Sequence, residues 1–283
     1  MGKNIDDIEF VIFDTETTGL DPSLGDRIVE IAALRFKGRE RLAEFQTLVN
    51  PDRPVSSAAF AVNKISADML KDAPNPTEVI PKFLDFIQGS CLCSYNAGFD
   101  LEFLNNEFKI LGIPALKDIV VVDALKMAKR LMPGLERYAL WFVADALGIK
   151  IQQKHRAFSD VELTLGAFYK LKDMLAAKSI IDFNKFVGLF SIDPVLLETI
   201  NNQKIAQIQE ALNLKVQVKI EYISASSAQV TEREVVPKEI KQENGRNYLV
   251  GYCCLKRQER SFRVDNILHI ELVYENSKDQ ITR

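Results

Sequence analysis

The stretch from Phe10 to Leu20 constrains the fold most, because an unbroken apolar run leads directly into two acids. Residues 10–13 (Phe-Val-Ile-Phe) are all apolar, which predicts a strand buried on both faces, as in the middle of a largely parallel sheet. Side chains alternate along a strand, so Asp14 and Glu16 are expected to point to the same side. Two interpretations of this pair are open: a metal site, or a solvated strand end before the Thr-Gly turn.

The chain length and amino-acid composition are those of an ordinary globular protein. A length of 283 residues favours two domains, and 47% hydrophobic with 27% charged residues is typical of a soluble chain. We find neither an apolar run near the roughly 18 residues of a membrane span nor a secretory signal, so we predict a cytoplasmic protein with no membrane contact. The net charge of −3 does not indicate a nucleic-acid binder, but an acidic site that works through bound cations remains compatible with it.

The cysteines do not have the spacing of a zinc site, and we expect small, buried, free thiols, which suits a reducing compartment. They are Cys91, Cys93, Cys253 and Cys254.

The order of predicted elements divides the chain. In residues 1–175, three strands are followed by alternating helices and strands, which predicts an α/β domain with a mixed sheet covered by helices. Residues 176–214 are predicted as a helical connector, split at Asp193-Pro194. Residues 215–283 alternate with period two and contain the hairpin signal Asn244-Gly245, which predicts a small, mostly-β domain.

Three more polar residues stand near predicted helix starts in the first domain. Asp100 falls in the first turn of a helix that follows a strand, and His155 precedes the helix that carries Asp160. Each has an ordinary explanation by itself: acids are favoured at helix N-termini, and a loop histidine is usually a surface residue. Only their combination with Asp14 and Glu16 is informative.

Together these segments resemble the three exonuclease motifs of the DEDDh family, a ribonuclease H-like group that includes the proofreading epsilon subunit of bacterial DNA polymerase III and ribonuclease T. The motifs are residues 13–20 (Phe-Asp-Thr-Glu-Thr-Thr-Gly-Leu), 96–104 (Asn-Ala-Gly-Phe-Asp-Leu-Glu-Phe-Leu) and 155–164 (His-Arg-Ala-Phe-Ser-Asp-Val-Glu-Leu-Thr). The resemblance covers about residues 7–175. It implies a ribonuclease H-like sheet and a 3′→5′ exonuclease acting on single-stranded DNA or DNA 3′ ends, with RNA as the second choice, that releases nucleoside 5′-monophosphates.

The resemblance also implies a cofactor of two Mg²⁺ or Mn²⁺ ions. Asp14, Glu16 and Asp160 would hold the ion that carries the attacking water. Asp14 would bridge to the second ion, which Asp100 would hold directly or through water. His155 would take the proton of the attacking water. The residue types suit this chemistry, because Mg²⁺ prefers carboxylate oxygens and a histidine pKa of about 6.5 suits a general base.

Contacts to the substrate are implied at five further positions: Thr17, Thr18, Leu20, Asn63 and Phe99. For Phe99, plain core packing is an equal alternative. Two departures from the family pattern stand near these positions. Asn63-Lys64 replaces the His-Gly of many relatives, and Tyr95 stands where histidine is frequent.

The C-terminal part resembles a WYL domain, a small β domain of prokaryotic regulators that is thought to bind nucleic acid or nucleotide-like ligands. The resemblance lies in residues 220–222, 233–237, 248–252 and 260–267. It implies a second ligand site, for which the candidates are Tyr248, Tyr252, Arg260 and Arg263. Basic and aromatic groups together are typical of single-strand binding, and a solvated surface is the alternative. A regular strand would put Arg260 and Arg263 on opposite faces, and a bulge would put them on one.

A rival function is a nucleotide- or nucleic-acid-sensing regulatory protein with an inactive nuclease fold. The complete set of acids and the histidine favours the enzyme. A stable polymerase partnership does not follow, because another domain stands where the epsilon subunit has its polymerase tether. The preference between DNA and RNA, the C-terminal ligand, the pathway (replication, repair or RNA processing) and the oligomeric state are not fixed by these patterns.

Overall fold

The structure, a computed structural model, describes residues 2–114, 116, 119–150 and 156–274. The chain forms two compact units, Met1–Ile192 and Asp193–Arg283. The connector expected at 176–214 is thereby divided, because its first helix belongs to the first unit and its second helix to the second.

The first unit is built on a mixed sheet, which confirms the predicted fold class. Its strands are β1 (Glu9–Thr17), β2 (Ile28–Lys37), β3 (Glu40–Leu48), β4 (Cys91–Ser94) and β5 (Val121–Asp123). The order in the described residues is β3-β2-β1-β4-β5. Strand β1 is antiparallel to β2 and parallel to β4, so it lies in the middle of the sheet, as its apolar sequence predicts.

Helices cover this sheet. They are α1 (Ser57–Asn63), α2 (Ala67–Leu70), α3 (Pro76–Ile87), α4 (Ala97–Leu111), α5 (Ala124–Leu131), α6 (Leu140–Ala146), α7 (Ala157–Ala176) and α8 (Phe183–Phe190). Side-chain caps fix several starts; for example, Asn75 accepts a hydrogen bond from the Glu78 N–H at the start of α3. Within the described part of the chain, no helix combines the length and the apolar character needed to cross a membrane.

The two faces of β1 pack against different helices. On one face Phe10 contacts Phe168 of α7 and Phe186 of α8, at ring-centroid distances of 5.1 and 5.9 Å. On the other face Phe13 contacts Phe83 of α3 at 5.9 Å, in a core that also includes Phe103 of α4. Even-numbered residues of β1 therefore face α7, and odd-numbered residues face α3 and α4.

The second unit is a helix followed by an antiparallel sheet. Its elements are α9 (Pro194–Leu214), β6 (Gln217–Ile223), β7 (Val230–Glu243), β8 (Arg246–Cys253), β9 (Gln258–Arg263) and β10 (Ile267–Val273). The strand order is β10-β6-β7-β8-β9, and Ile208 and Ala211 of α9 belong to the core of the sheet. Asn244 and Gly245 both have positive φ, at 49° and 72°, so the predicted hairpin turn is present.

The cysteines are free thiols, as expected. Cys91, Cys93 and Cys253 are buried, and Cys254 is partly exposed.

Candidate active site

Three carboxylates converge at the end of β1. Asp14 and Glu16 are even-numbered residues of β1 and face α7, and Asp160 lies in the first turn of that helix. One carboxylate oxygen from each of the three lies within 4.8 Å of the others. Strand alternation and the position of α7 thus bring together residues that are about 145 positions apart in the chain. A set of carboxylate oxygens at this spacing suits a hard divalent cation such as Mg²⁺.

Burial, together with repulsion from neighbouring acids, raises the pKa values of Asp14 and Glu16. Burial raises the pKa of Asp14 well above its ordinary value, and the charges of Asp100 and Glu16 raise it further. Burial raises the pKa of Glu16 to about 8, with added repulsion from Asp160 and Glu30. Such a cluster needs a proton or a cation to offset its charge, and a bound divalent ion would do so. The residues present therefore fit a metal site.

Asp100 lies beside this cluster but is held separately. Its Oδ1 accepts hydrogen bonds from the Thr15 N–H at 3.0 Å and the Thr15 hydroxyl at 2.7 Å, and its Oδ2 accepts one from the Ser94 hydroxyl at 2.5 Å. Thr15 is odd-numbered and so faces α4, the helix that carries Asp100. Burial raises the pKa of Asp100 to about 6, and these hydrogen bonds oppose a larger rise. Thr15 and Ser94 are supporting residues that the sequence interpretation missed.

A bond to a neighbouring strand sets the start of α4. Asn96 precedes the helix in the left-handed conformation, with φ 69°. Its N–H donates to Asp123 Oδ1 at 3.0 Å, and the same oxygen accepts the Leu125 N–H at 2.8 Å. Asp123, at the end of β5, thus caps α5 and also fixes the turn from which Asp100 projects.

An open cleft of about 550 Å³ lies next to the acids. Glu16, Thr17, Leu20, Asn63 and Phe99 are among its lining residues. Leu20 is 84% exposed at the rim. Asn63 is buried and donates from Nδ2 to the Thr17 carbonyl at 3.2 Å, so α1 is tied to the end of β1. Phe99 packs on Phe103, with ring centroids 4.9 Å apart, and also lines the cleft; its contact with substrate stays a prediction.

Thr18 has a different position. Its side chain is buried, and its hydroxyl donates to Asp26 Oδ1 at 2.9 Å. Its N–H donates to the Arg27 carbonyl at 2.8 Å. Thr18 therefore fixes the loop behind the cleft instead of lining it. His155 lies outside the described residues, and its assignment as the base stays a prediction.

The second unit has a cavity of about 370 Å³ lined by Tyr222, Thr231, Arg233 and Arg260, among others. Arg233 donates from Nε to the Thr231 hydroxyl at 3.1 Å. Its Nη1 atom is buried, and no hydrogen-bond partner for it exists among the described residues. A buried guanidinium nitrogen without a partner is costly, and an anionic ligand would satisfy it.

The four candidate residues of the second ligand site are separated by the sheet. Strands β8 and β9 pair without a register shift, so Arg260 and Arg263 lie on opposite faces. Arg263 pairs with Asp265, whereas Arg260 lines the cavity. Tyr248 and Tyr252 do not line it; they share the Arg263 face. Arg233 was missed as a candidate, although it stands in the quoted segment 233–237.

Comparison with known proteins gives two family matches. Residues 11–168 match the family model described as exonuclease, and residues 203–272 match the WYL domain. The chain is 33% identical over 251 residues to the DNA polymerase III PolC-type protein of Caldanaerobacter subterraneus subsp. tengcongensis, covering 87% of this chain and only 17% of that protein. It is 39% identical over 163 residues to the DNA polymerase III subunit epsilon of Treponema pallidum, covering 57% of this chain and 75% of that protein.

A solved structure supports the fold. The nuclease domain of 3′hExo, described as a DEDDh family member bound to rAMP, matches with a TM-score of 0.54 at 17% identity, covering 63% of this chain and 97% of that one. The acids that converge at the end of β1 lie inside the segment that matches the exonuclease model. The chain belongs to the exonuclease family of hydrolases and carries a WYL domain after its nuclease domain.

Proposed function

We propose that this chain is a divalent-metal-dependent 3′→5′ exonuclease that hydrolyses the last phosphodiester bond of single-stranded DNA and releases nucleoside 5′-monophosphates. The observation that carries the proposal is the convergence of Asp14, Glu16 and Asp160 within 4.8 Å, beside a cleft open to solvent. DNA ranks above RNA because the relatives named above are DNA polymerase III proteins.

The cofactor we propose is a pair of Mg²⁺ or Mn²⁺ ions. Asp14, Glu16 and Asp160 would hold one, and Asp14 with Asp100 would hold the other. Asp100 already accepts three hydrogen bonds, which favours a contact through water over a direct one. When bound, such ions supply an activated water and offset the charge on the departing 3′ oxygen.

The residues around the acids position the strand end. Phe99 and Leu20 offer apolar surface to a terminal base, and Thr17 and Asn63 offer polar groups to its sugar. Leu20 lines the cleft together with Leu24 and Val62, which are also exposed, and such an apolar patch supports a contact with substrate. His155 would accept the proton of the attacking water.

The second unit would bind a phosphate group of a nucleotide or nucleic acid at Arg233 and Arg260. The buried Nη1 of Arg233 supports this site over the face that carries Tyr248, Tyr252 and Arg263. The rival function, a sensor with an inactive nuclease fold, ranks second because the acid cluster of the nuclease unit is complete. We propose no polymerase partner.

Substitution of Asp14 tests the nuclease assignment. We expect Asp14→Asn to lower the rate of digestion of an end-labelled single-stranded oligonucleotide at least about 100-fold in Mg²⁺ or Mn²⁺, because it removes a metal ligand. Asp72→Asn, at an exposed acid of the same unit, should retain full activity. Equal activity of the Asp14→Asn variant and the unsubstituted protein, or none in either with DNA and RNA strands, would contradict the proposal.

The stability of the metal-free protein should depend on pH through Glu16. Its pKa of about 8, against an ordinary 4.5, means that the folded state binds this proton more tightly than the unfolded state does. The stabilising contribution is complete below about pH 4.5 and is lost as the pH rises through about 8. We expect the Tm in EDTA to decrease over this window, less steeply in Glu16→Gln. Mn²⁺ should raise the Tm most at high pH, because it binds ionised carboxylates.

The measurement is a thermal unfolding series of both proteins with and without Mn²⁺. Identical pH slopes for the two proteins, together with no effect of Mn²⁺ on either, would contradict this account of the cluster.

The second site can be tested by calorimetry with dAMP, using the full-length Asp14→Asn protein in EDTA so that the nuclease site holds no metal. We expect Arg233→Gln in this background to weaken binding at least about tenfold, because it removes a charge-assisted donor. Arg263→Gln is the matched control, since that arginine pairs with Asp265 on the other face. Equal losses in both variants would place the site elsewhere.

A further inference from the structure

Glu30 is a fourth acid beside the cluster, and its burial requires an explanation. It lies on β2 directly across from Glu16, on the same face of the sheet, and only 1% of its surface is exposed. Its charge raises the pKa of both Glu16 and Asp14. An acid buried beside other acids is costly unless it is paired and hydrogen-bonded. Its carboxylate is not one of the three that converge within 4.8 Å.

The partner of Glu30 is the start of α7. Arg156 donates from Nε to Glu30 Oε2 at 3.0 Å and from Nη2 to Oε1 at 2.8 Å, a two-pronged ion pair. The Ala157 N–H donates to Glu30 Oε2 at 3.1 Å. Gln46 on β3 adds a bond from Nε2 to Oε1 at 3.3 Å. Both carboxylate oxygens are thus satisfied, and three of the four donor atoms belong to Arg156 and Ala157 at the helix start.

This contact replaces the usual cap of the helix. Arg156 occupies the N-cap position of α7 and makes no side-chain cap of its own. The first N–H groups of a helix need acceptors, and a carboxylate there is favoured by the helix dipole. Glu30 provides this acceptor, because its Oε2 accepts the Ala157 N–H from 127 positions away in the chain. The start of α7 is therefore bonded to β2.

Two residues proposed for the chemistry are close to Arg156 in the chain. Asp160 lies in the same first turn of α7. His155 directly precedes Arg156 in the chain. A displacement of the helix start would therefore change the distances from Asp160 to Asp14 and Glu16.

We propose that Glu30 and Arg156 form a clamp that positions Asp160 relative to the acids of β1. Both are positioning residues, because they act through Asp160 and not on the substrate. The inference rests on the proposed nuclease function for its kinetic part, and its metal-binding part can be tested without activity.

Whether Arg156 acts by positioning Asp160 or only by its positive charge can be decided from the affinity for Mn²⁺, because the two roles predict opposite changes. Arg156 interacts electrostatically with Glu16, so its positive charge opposes a cation at the cluster. If Arg156 acted only by its charge, Arg156→Gln would tighten the binding of Mn²⁺. If it positions Asp160, the same substitution weakens it, because one ligand is displaced.

The experiment compares Mn²⁺ binding by calorimetry, the kcat and KM for an end-labelled single strand, and the Tm. For Arg156→Gln we expect a Kd for Mn²⁺ about 10- to 100-fold weaker, a kcat lower by a similar factor, and little change in KM. The double variant Glu30→Gln/Arg156→Gln leaves no unpaired buried charge, so its Tm should recover in part while its kcat stays low. This double variant also provides the test if Arg156→Gln alone does not fold.

Arg39→Gln is the matched control. Arg39 donates from Nη2 to both carboxylate oxygens of Asp173, on the same helix but 13 residues beyond Asp160, or about 20 Å along its axis. The substitution Arg39→Gln should leave kcat and the affinity for Mn²⁺ unchanged.

Three results would overturn the clamp: tighter Mn²⁺ binding in Arg156→Gln, a kcat that recovers with the Tm in the double variant, or an equal loss of kcat in Arg39→Gln. A different result would overturn the nuclease function itself, namely no digestion by the unsubstituted protein. In that case the titration of Mn²⁺ still decides whether the clamp exists.

Discussion

Repulsion among buried carboxylates is the constraint on which the nuclease unit depends. Asp14, Glu16 and Asp160 approach within 4.8 Å, and Asp100 and Glu30 add further negative charge around them. A fold does not gain stability from such a cluster, so other interactions must hold each acid in place. They do so in separate ways: Thr15 and Ser94 hydrogen-bond Asp100, and Arg156 neutralises Glu30. The cluster is thus imposed by the rest of the sheet, which is typical of sites kept for function.

The two faces of β1 explain how the fold brings these acids together. Its even-numbered residues face α7 and carry Asp14 and Glu16 to Asp160, whereas the odd-numbered Thr15 reaches Asp100 on α4. The apolar residues that precede them, Phe10 and Phe13, anchor the same two layers through aromatic contacts. One strand therefore sets the packing of the unit and the geometry of its acids. A shift of its register by one residue would exchange the two faces and disperse the cluster.

Much of this could be predicted from the sequence, because local patterns determine it. The apolar run at 10–13 predicts a central strand, period-two alternation predicts the C-terminal sheet, and motif spacing groups the four acids. The missed features depend on long-range contacts. Glu30 looks like an ordinary polar residue of an alternating strand, and its bond to Arg156 spans 126 positions. The position of Thr18 behind the cleft likewise depends on the direction of a side chain in the fold. The separation of Arg260 from Arg263 was one of the two alternatives that the sequence left open, and the regular pairing of β8 with β9 decides between them. The roles of His155 and the cytoplasmic location stay predictions.

The central claim is that the carboxylates at the end of β1 bind divalent cations. Anomalous diffraction from crystals of the protein soaked in Mn²⁺ tests it most directly, since it places the ion independently of activity. The account predicts a Mn²⁺ peak in contact with Asp14, Glu16 and Asp160, which is absent from crystals of Asp14→Asn. A structure of the unsubstituted protein in which saturating Mn²⁺ binds elsewhere and leaves these three side chains without metal would contradict it.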